Sequence, residues 1–394
     1  MGFASGSISF RRFLVQGQQP KAFDQAILDK LESHTLQQGE FGVPEEVEYG
    51  WCGGRHVLDA KFGFEHNIFV DALSCAMRVD TNKMPGELKK AYQIIEEEAA
   101  AANNPSGFIS KQQKKDVKDI VRKKIEEDLK SGRFRRSKLV PLLWDLPSTT
   151  MFSPVGSSQL EKLCELWERT FESTIEPLSS GELALRYLAE KGKRREYEDA
   201  RPTRFVPGPE GEGQMPDYPW TAKGPQPKDF MGNEFVLWLW HRIETEGGII
   251  KAEGAGEVSV VIDQSLDLEC AFGQTGKDNL KGDGPTRMPE ALDALRSGKM
   301  PRKVGMILET GGKQFQFTLN AESLGCSGVK MPEVEEAENP RVVFEERIVM
   351  LRDLCKAIDG LFYTFLKLRA SSAWESQTGN IRKWILQIAK HAAA

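Results

Sequence analysis

Apolar and polar residues alternate through residues 7–16 (SISFRRFLVQ), the period of a half-buried strand. Phe23, Ile27 and Leu31 then recur at helical spacing within residues 22–36, and residues 48–51 lead into a glycine-rich turn. Residues 68–79 predict a strand, and Pro85 opens a helix reaching Ala102, a favoured place for proline. Short strands are expected at 139–144 and 149–155. Residues 157–171 predict a capped amphipathic helix that buries Leu160, Leu163, Cys164, Trp167 and Phe171, and 183–190 adds a helical turn or two. Periodicity then fades through a charged stretch and a Pro/Gly-rich segment. It returns as an apolar helix from about Asn233 carrying Phe235, Leu237, Trp238 and Trp240, whose plain reading is core and whose sharper one is a base-stacking platform. Strands follow at 257–262, 265–272, 303–309 and 315–319, with a helix at 289–297 between the second and third. A long amphipathic helix over 341–369 buries Phe344, Ile348, Leu351, Leu354, Ile358, Leu361 and Phe365 against the second half, and 381–390 is a last short helix.

These elements define a mixed α/β (α+β) protein with antiparallel sheets and long amphipathic helices. Its divisions are expected at 1–205, a Pro/Gly-rich linker over 206–228, a β-rich 229–340 and C-terminal helices over 341–394.

Charge changes the picture at one place. Residues 108–138 hold twelve Lys or Arg against five Asp or Glu, a balance of +7 in a chain whose net charge is −5. On a helix over 110–131, capped by Ser110 and stopped near Gly132, Lys111, Lys115, Lys118 and Arg122 form one stripe. Val117, Ile120 and Val121 fall roughly opposite, towards a core. Successive cations of the stripe stand about 6 Å apart along the axis, a spacing suited to a nucleic-acid backbone. Lys114, Lys123 and Lys124 flank it, and Arg133, Arg135, Arg136 and Lys138 extend it. The bland alternative is a solvated face that keeps the protein soluble.

Other chemistry is thin. GQTGKDN and ETGGKQF contain Gly-Lys without the spacing of a phosphate-binding loop, and GEGQM and GAGEV follow no strand as a dinucleotide fingerprint must. Cys52 and His56 could share a metal, but no second pair accompanies them. Asp263, Asp267 and Glu269 alternate on a strand and Glu309 lies on another; such carboxylates could hold Mg2+ in a nuclease, or simply form a solvent face. The six cysteines are scattered and read as reduced core thiols of a cytosolic protein. No apolar run reaches membrane-span length, the N-terminus lacks the layout of a secretory signal, and position 6 is Gly where a myristoylation pattern needs Ser or Thr.

The order of segments is more telling than any motif. YGW at 49–51, RVDTNKMPGELKKA, FISKQQKKDVKDIVRKK, KLVPLLWDL, TTMFSPVGSSQLEKLCELWERTF and IEPL follow one another, with GNEFVLWLW and PEALDALRSGKMPRKVGMILE in the second half. This collinear set resembles the recombination-associated protein RdgC family. The resemblance implies a non-enzymatic, nucleoid-associated, cytoplasmic protein without cofactor or metal. It implies a homodimeric ring with a basic hole around double-stranded DNA, little sequence preference, and restraint of RecA through the shared DNA. The Lys-rich family segment resembles residues 111–124, which gives DNA contact to Lys114, Lys115, Lys118 and their basic neighbours. The chain departs from compact members after Pro141, where Leu142, Leu143 and Trp144 stand in place of a phosphate-contacting arginine, and Arg133, Arg135, Arg136 and Lys138 could compensate. Two rival readings stay open: a Mg2+-dependent nuclease using the second-half carboxylates, and an adaptor whose basic helix docks on an acidic partner.

Overall fold

The computed structural model describes residues 2–36, 47–102, 104, 107–208, 214–221, 224, 227–274, 276–334 and 339–387. The chain begins with β1 (Ile8–Val15), α1 (Gln25–Ser33), β2 (Val47–Cys52), the short α2 (Phe64–Asn67), β3 (Ile68–Phe69) and β4 (Ala72–Asn82). Two helices follow, α3 (Gly86–Ala102) and α4 (Lys111–Lys130), then β5 (Arg135–Asp145), β6 (Thr150–Ser153), α5 (Ser157–Phe171) and β7 (Ile175–Pro177). Next come α6 (Ser180–Glu190), α7 (Arg194–Asp199), α8 (Phe230–Glu246), β8 (Ile249–Ala252), β9 (Gly256–Cys270) and β10 (Lys277–Gly282). The chain closes with α9 (Pro289–Arg296), β11 (Lys299–Thr310), β12 (Lys313–Asn320), β13 (Cys326–Lys330), α10 (Pro340–Arg369) and α11 (Ala373–Gln387). The expected mixture of helix and antiparallel sheet is therefore present.

The thirteen strands among the described residues join one antiparallel network in the order β10-β9-β11-β12-β13-β1-β6-β5-β4-β2, with β3 on β4, β7 on β1 and β8 on β9. β1 is the shared strand. Ile8 and Phe10 pair with β13, whereas Arg11 to Leu14 pair with β6. Because side chains alternate across a strand, β1 feeds two cores. Ile8 and Phe10 enter the larger one, and Phe13 and Val15 enter a smaller one formed with α1, α5, β4 and β5. In the smaller core Trp51, Trp144, Trp167 and Phe171 meet mainly edge to face, the geometry favoured by the ring quadrupoles.

The larger core is built around α8, which is buried continuously from Phe230 to His241. A helix apolar on every side belongs inside, so Trp238 and Trp240, each at most 1 % exposed, are core residues and offer no stacking platform. Gly232 lets α8 approach the sheet: a Cβ there would sit 1.8 Å from the Ala321 carbonyl oxygen. Glu234, fully buried, accepts from Arg369 at 2.7 Å and from the Thr203 N–H at 2.6 Å, which satisfies a charge that would otherwise be costly.

α10 runs for 30 residues, about 45 Å. Its expected apolar stripe, Phe344 to Phe365, is buried. It also grips the first half, which the stripe did not foretell. Arg341 donates to the Glu65 and Ile68 carbonyls, Arg347 to those of Phe3 and Gly6, and Arg352 to Val70 and to the Asp145 carboxylate.

Several boundaries move for identifiable reasons. The expected strand over 68–79 is a tight hairpin, β3 to β4, whose turn residues Val70 and Asp71 both have positive φ. The two strands expected at 257–262 and 265–272 are one strand, β9, bent at Gln264 where φ is +65°. α5 starts on Gly156 without a side-chain cap, and of its expected buried set Leu163 and Trp167 are buried while Leu160, Cys164 and Phe171 are half-buried. α11 begins at Ala373, well before 381, and residues 388–390 of the expected helix lie outside the described residues. Within 206–228, Val206 and Tyr218 belong to the larger core, Trp220 stacks on Arg302, and residues 209–213, 222–223 and 225–226 lie outside the described residues.

The six cysteines are free thiols, all buried except the half-buried Cys164, as expected. Among the described residues no helix is long and apolar enough to cross a membrane.

Candidate nucleic-acid interface

β4 and β5 pair without a break from Ala72–Asp145 to Asn82–Arg135. They form one hairpin, and residues 83–134 are the excursion at its tip. That excursion is α3 and α4, which pack on each other and scarcely on the body. α3 buries no residue, and α4 buries only Val117 and Val121. Ile120, expected to face a core, is 44 % exposed, because the helix it lies on has a neighbour on one flank only.

The local chemistry fixes α4 at both ends. Ser110 accepts from the Gln113 N–H at 3.3 Å while Gln113 accepts from the Ser110 N–H at 2.8 Å, a complete capping box. The Gln113 amide also exchanges hydrogen bonds with Asn104 across the inter-helix turn. At the far end Asn82 donates to the Leu129 carbonyl at 2.8 Å, tying the helix to β4. Gly132 follows with φ +71°, a left-handed stop that glycine adopts at no steric cost. Between the helices Tyr92 donates to Asp128 at 2.5 Å, and that bond raises the Tyr92 pKa. Lys124 is held by Glu96.

The eleven cations singled out in the sequence separate into two groups. Lys111, Lys114, Lys115, Lys118 and Lys123 are exposed on α4 and form no ion pair among the described residues; Arg133, Arg136 and Lys138 are likewise exposed and unpaired beyond its end. The stripe from Lys111 to Arg122 runs about 16 Å along the helix. The other three are engaged. Arg122 lies 3.3 Å from Asp119 and 3.8 Å from Glu126, both on the surface, where such pairs are weak. Lys124 belongs to Glu96. Arg135 is structural: it bridges Glu48 at 2.5 Å and Asp80 at 2.9 Å.

Asp80 is the centre of that structural group, and sequence reasoning did not find it. It is 2 % exposed and also accepts from both forks of Arg78, at 2.9 and 2.6 Å. Burial pushes its carboxyl up, but hydrogen bonds from Arg78, Ser137 and Arg135 outweigh that and hold its pKa below the ordinary value. The available signal was alternation in RVDTN, which sets Arg78 and Asp80 on one face of a strand.

The other candidate chemistry is dispersed. Glu269 pairs with Arg302 and Lys277, Asp267 accepts from Asn279, and Asp263 accepts from the Gly284 N–H. Glu309 lies opposite Ser259, ten residues along the bent β9 from Glu269, a path of at most about 33 Å. Cys52 donates to the His56 carbonyl, and burial raises its thiol pKa. Among the described residues no group of three His, Cys, Asp or Glu could hold a metal ion. Compared with known proteins, the chain matches no family model and no curated protein.

Proposed function

We propose that this protein binds duplex DNA through α4 with little sequence preference, and that it acts by occupying the duplex without cutting it. One observation carries the reading: five exposed lysines without ion-pair partners among the described residues line a helix that stands off the body of an acidic protein. Cations not committed to carboxylates are free to displace the counterions condensed on a polyphosphate, which favours binding to any sequence. Arg133, Arg136 and Lys138 would continue the contact past the helix, while Arg135 holds the base of the hairpin. The similarity to the RdgC family adds the consequence: bound protein denies the duplex to a RecA filament. Ile94, Ile95 and Ile120 are 54, 56 and 44 % exposed on the same hairpin, and that apolar surface supports pairing with a second copy in a homodimeric ring.

The test is fluorescence anisotropy on a labelled random duplex, in EDTA and again in Mg2+. The parent should bind and leave the DNA intact under both conditions. The combined Lys115→Glu, Lys118→Glu and Arg122→Glu variant should bind at least about 100-fold more weakly, because three phosphate contacts become repulsions, with an unchanged circular dichroism spectrum. Equal binding by the variant would remove α4 from the interface, and cleavage in Mg2+ would replace occupancy with nuclease chemistry.

A further inference from the structure

The tip of the α3–α4 hairpin carries an aromatic side chain that phosphate contacts leave unexplained. Phe108 is 80 % exposed, more than any other large apolar side chain among the described residues. Its backbone is nonetheless fixed. Gly107, with φ +68°, donates to the Asn104 carbonyl at 3.0 Å and turns the chain. The Asn104 amide donates to the Phe108 carbonyl at 2.6 Å as well as to Gln113, and the capping box of α4 begins two residues on at Ser110. An exposed ring on a pinned backbone has little further backbone freedom to lose when it meets a partner.

The surroundings of the ring are cationic. Residues 107–115 read GFISKQQKK, with three lysines and no acid. Lys111, Lys114 and Lys115 are exposed and form no ion pair among the described residues. Ile94, Ile95 and Ile120, the apolar surface assigned to a second copy, lie about 10–14 Å back from the tip along the helix axes. An aromatic face beside several cations suits a nucleobase: the ring stacks while the ammonium groups meet the flanking phosphates, and every base has a π-face. In continuous duplex those faces are covered by neighbouring bases, and opening a step costs energy. A break in one strand leaves a base face uncovered and lowers that cost.

We propose that Phe108 stacks on the uncovered base at a gap in the duplex, so that α4 holds the phosphates while the hairpin tip selects interrupted DNA over continuous DNA. This preference rests on duplex binding by α4 and concerns the form of the DNA, not its sequence.

Anisotropy competition with the full-length protein compares a continuous duplex with the same duplex carrying a single-nucleotide gap. The parent should bind the gapped duplex at least about fivefold more tightly, the scale of one aromatic–base stack. Phe108→Ala and Phe108→Leu should both lose that preference while keeping the parent's affinity for continuous duplex, because leucine is apolar but offers no π-face. Phe108→Trp should retain it. Equal affinity of the parent for the two duplexes, or a preference that survives Phe108→Ala, would overturn the role of the ring and leave duplex binding by α4 standing. Survival in Phe108→Leu would overturn stacking. A Phe108→Ala variant that sediments as a smaller species than the parent would overturn it too, by assigning the ring to a protein interface. A parent that binds neither duplex would remove the α4 reading and this preference together.

Discussion

Asp80 shows how a single buried charge can organise the base of an exposed element. It is satisfied by Arg78 and Arg135, and through Arg135 it reaches Glu48 on β2. Removing one member of such a pair leaves the other uncompensated, which costs about 3–5 kcal/mol. Asp80→Asn should therefore lower the unfolding free energy by about 3 kcal/mol at pH 7 in urea titrations. The sign with pH follows from the depressed pKa. The stabilisation is full above the unfolded value of about 3.9 and is lost as pH falls through the lower folded value. Parent and variant should thus converge in acid, and a gap that stays constant from pH 7 to pH 2 would contradict this. The residue scale was the least legible in sequence. The basic block was visible as a count, but which of its arginines would be spent on a carboxylate was not, because Glu48, Asp80 and Arg135 meet only once the β4–β5 register is set.

At the scale of elements, the hairpin of α3 and α4 is an insertion into a ribbon that is complete without it. Joining Asn82 to Arg135 through a two-residue Asn-Gly turn, in place of residues 83–134, should preserve the fold, since the strand register already brings those ends together. Circular dichroism and a thermal melt should show a cooperative body, while affinity for duplex DNA falls at least about 100-fold with the loss of the phosphate contacts. A collapsed body would show instead that the hairpin is needed for folding. Helices were the most legible elements. Ser110 and Gly132 marked the ends of α4, and the stripe from Phe344 to Phe365 gave α10. Strands were read short or missed where polar residues interrupt them. β10 (KDNLKG) and β13 (CSGVK) carry little alternation and exist because β9, β12 and β1 offer them paired edges. β5 extends back to Arg135 for the same reason: its polar end is held by register with β4, beyond the reach of the core.

Across the whole molecule, charge and connectivity point the same way. A block of +7 inside a chain of −5 leaves −12 for the remainder, so the body should repel a polyanion while the hairpin attracts it. The two cores share β1, and α10 straps them together through Arg341, Arg347 and Arg352, which gives the hairpin a firm mount. The most direct test of the central claim is the salt dependence of duplex affinity. If four or five cations of α4, Arg122 among them, neutralise phosphates, the slope of log affinity against log salt should be roughly −4. It should become shallower by about 3 in the Lys115→Glu, Lys118→Glu and Arg122→Glu variant. A flat profile in the parent, or the same steep slope in the variant, would contradict the account.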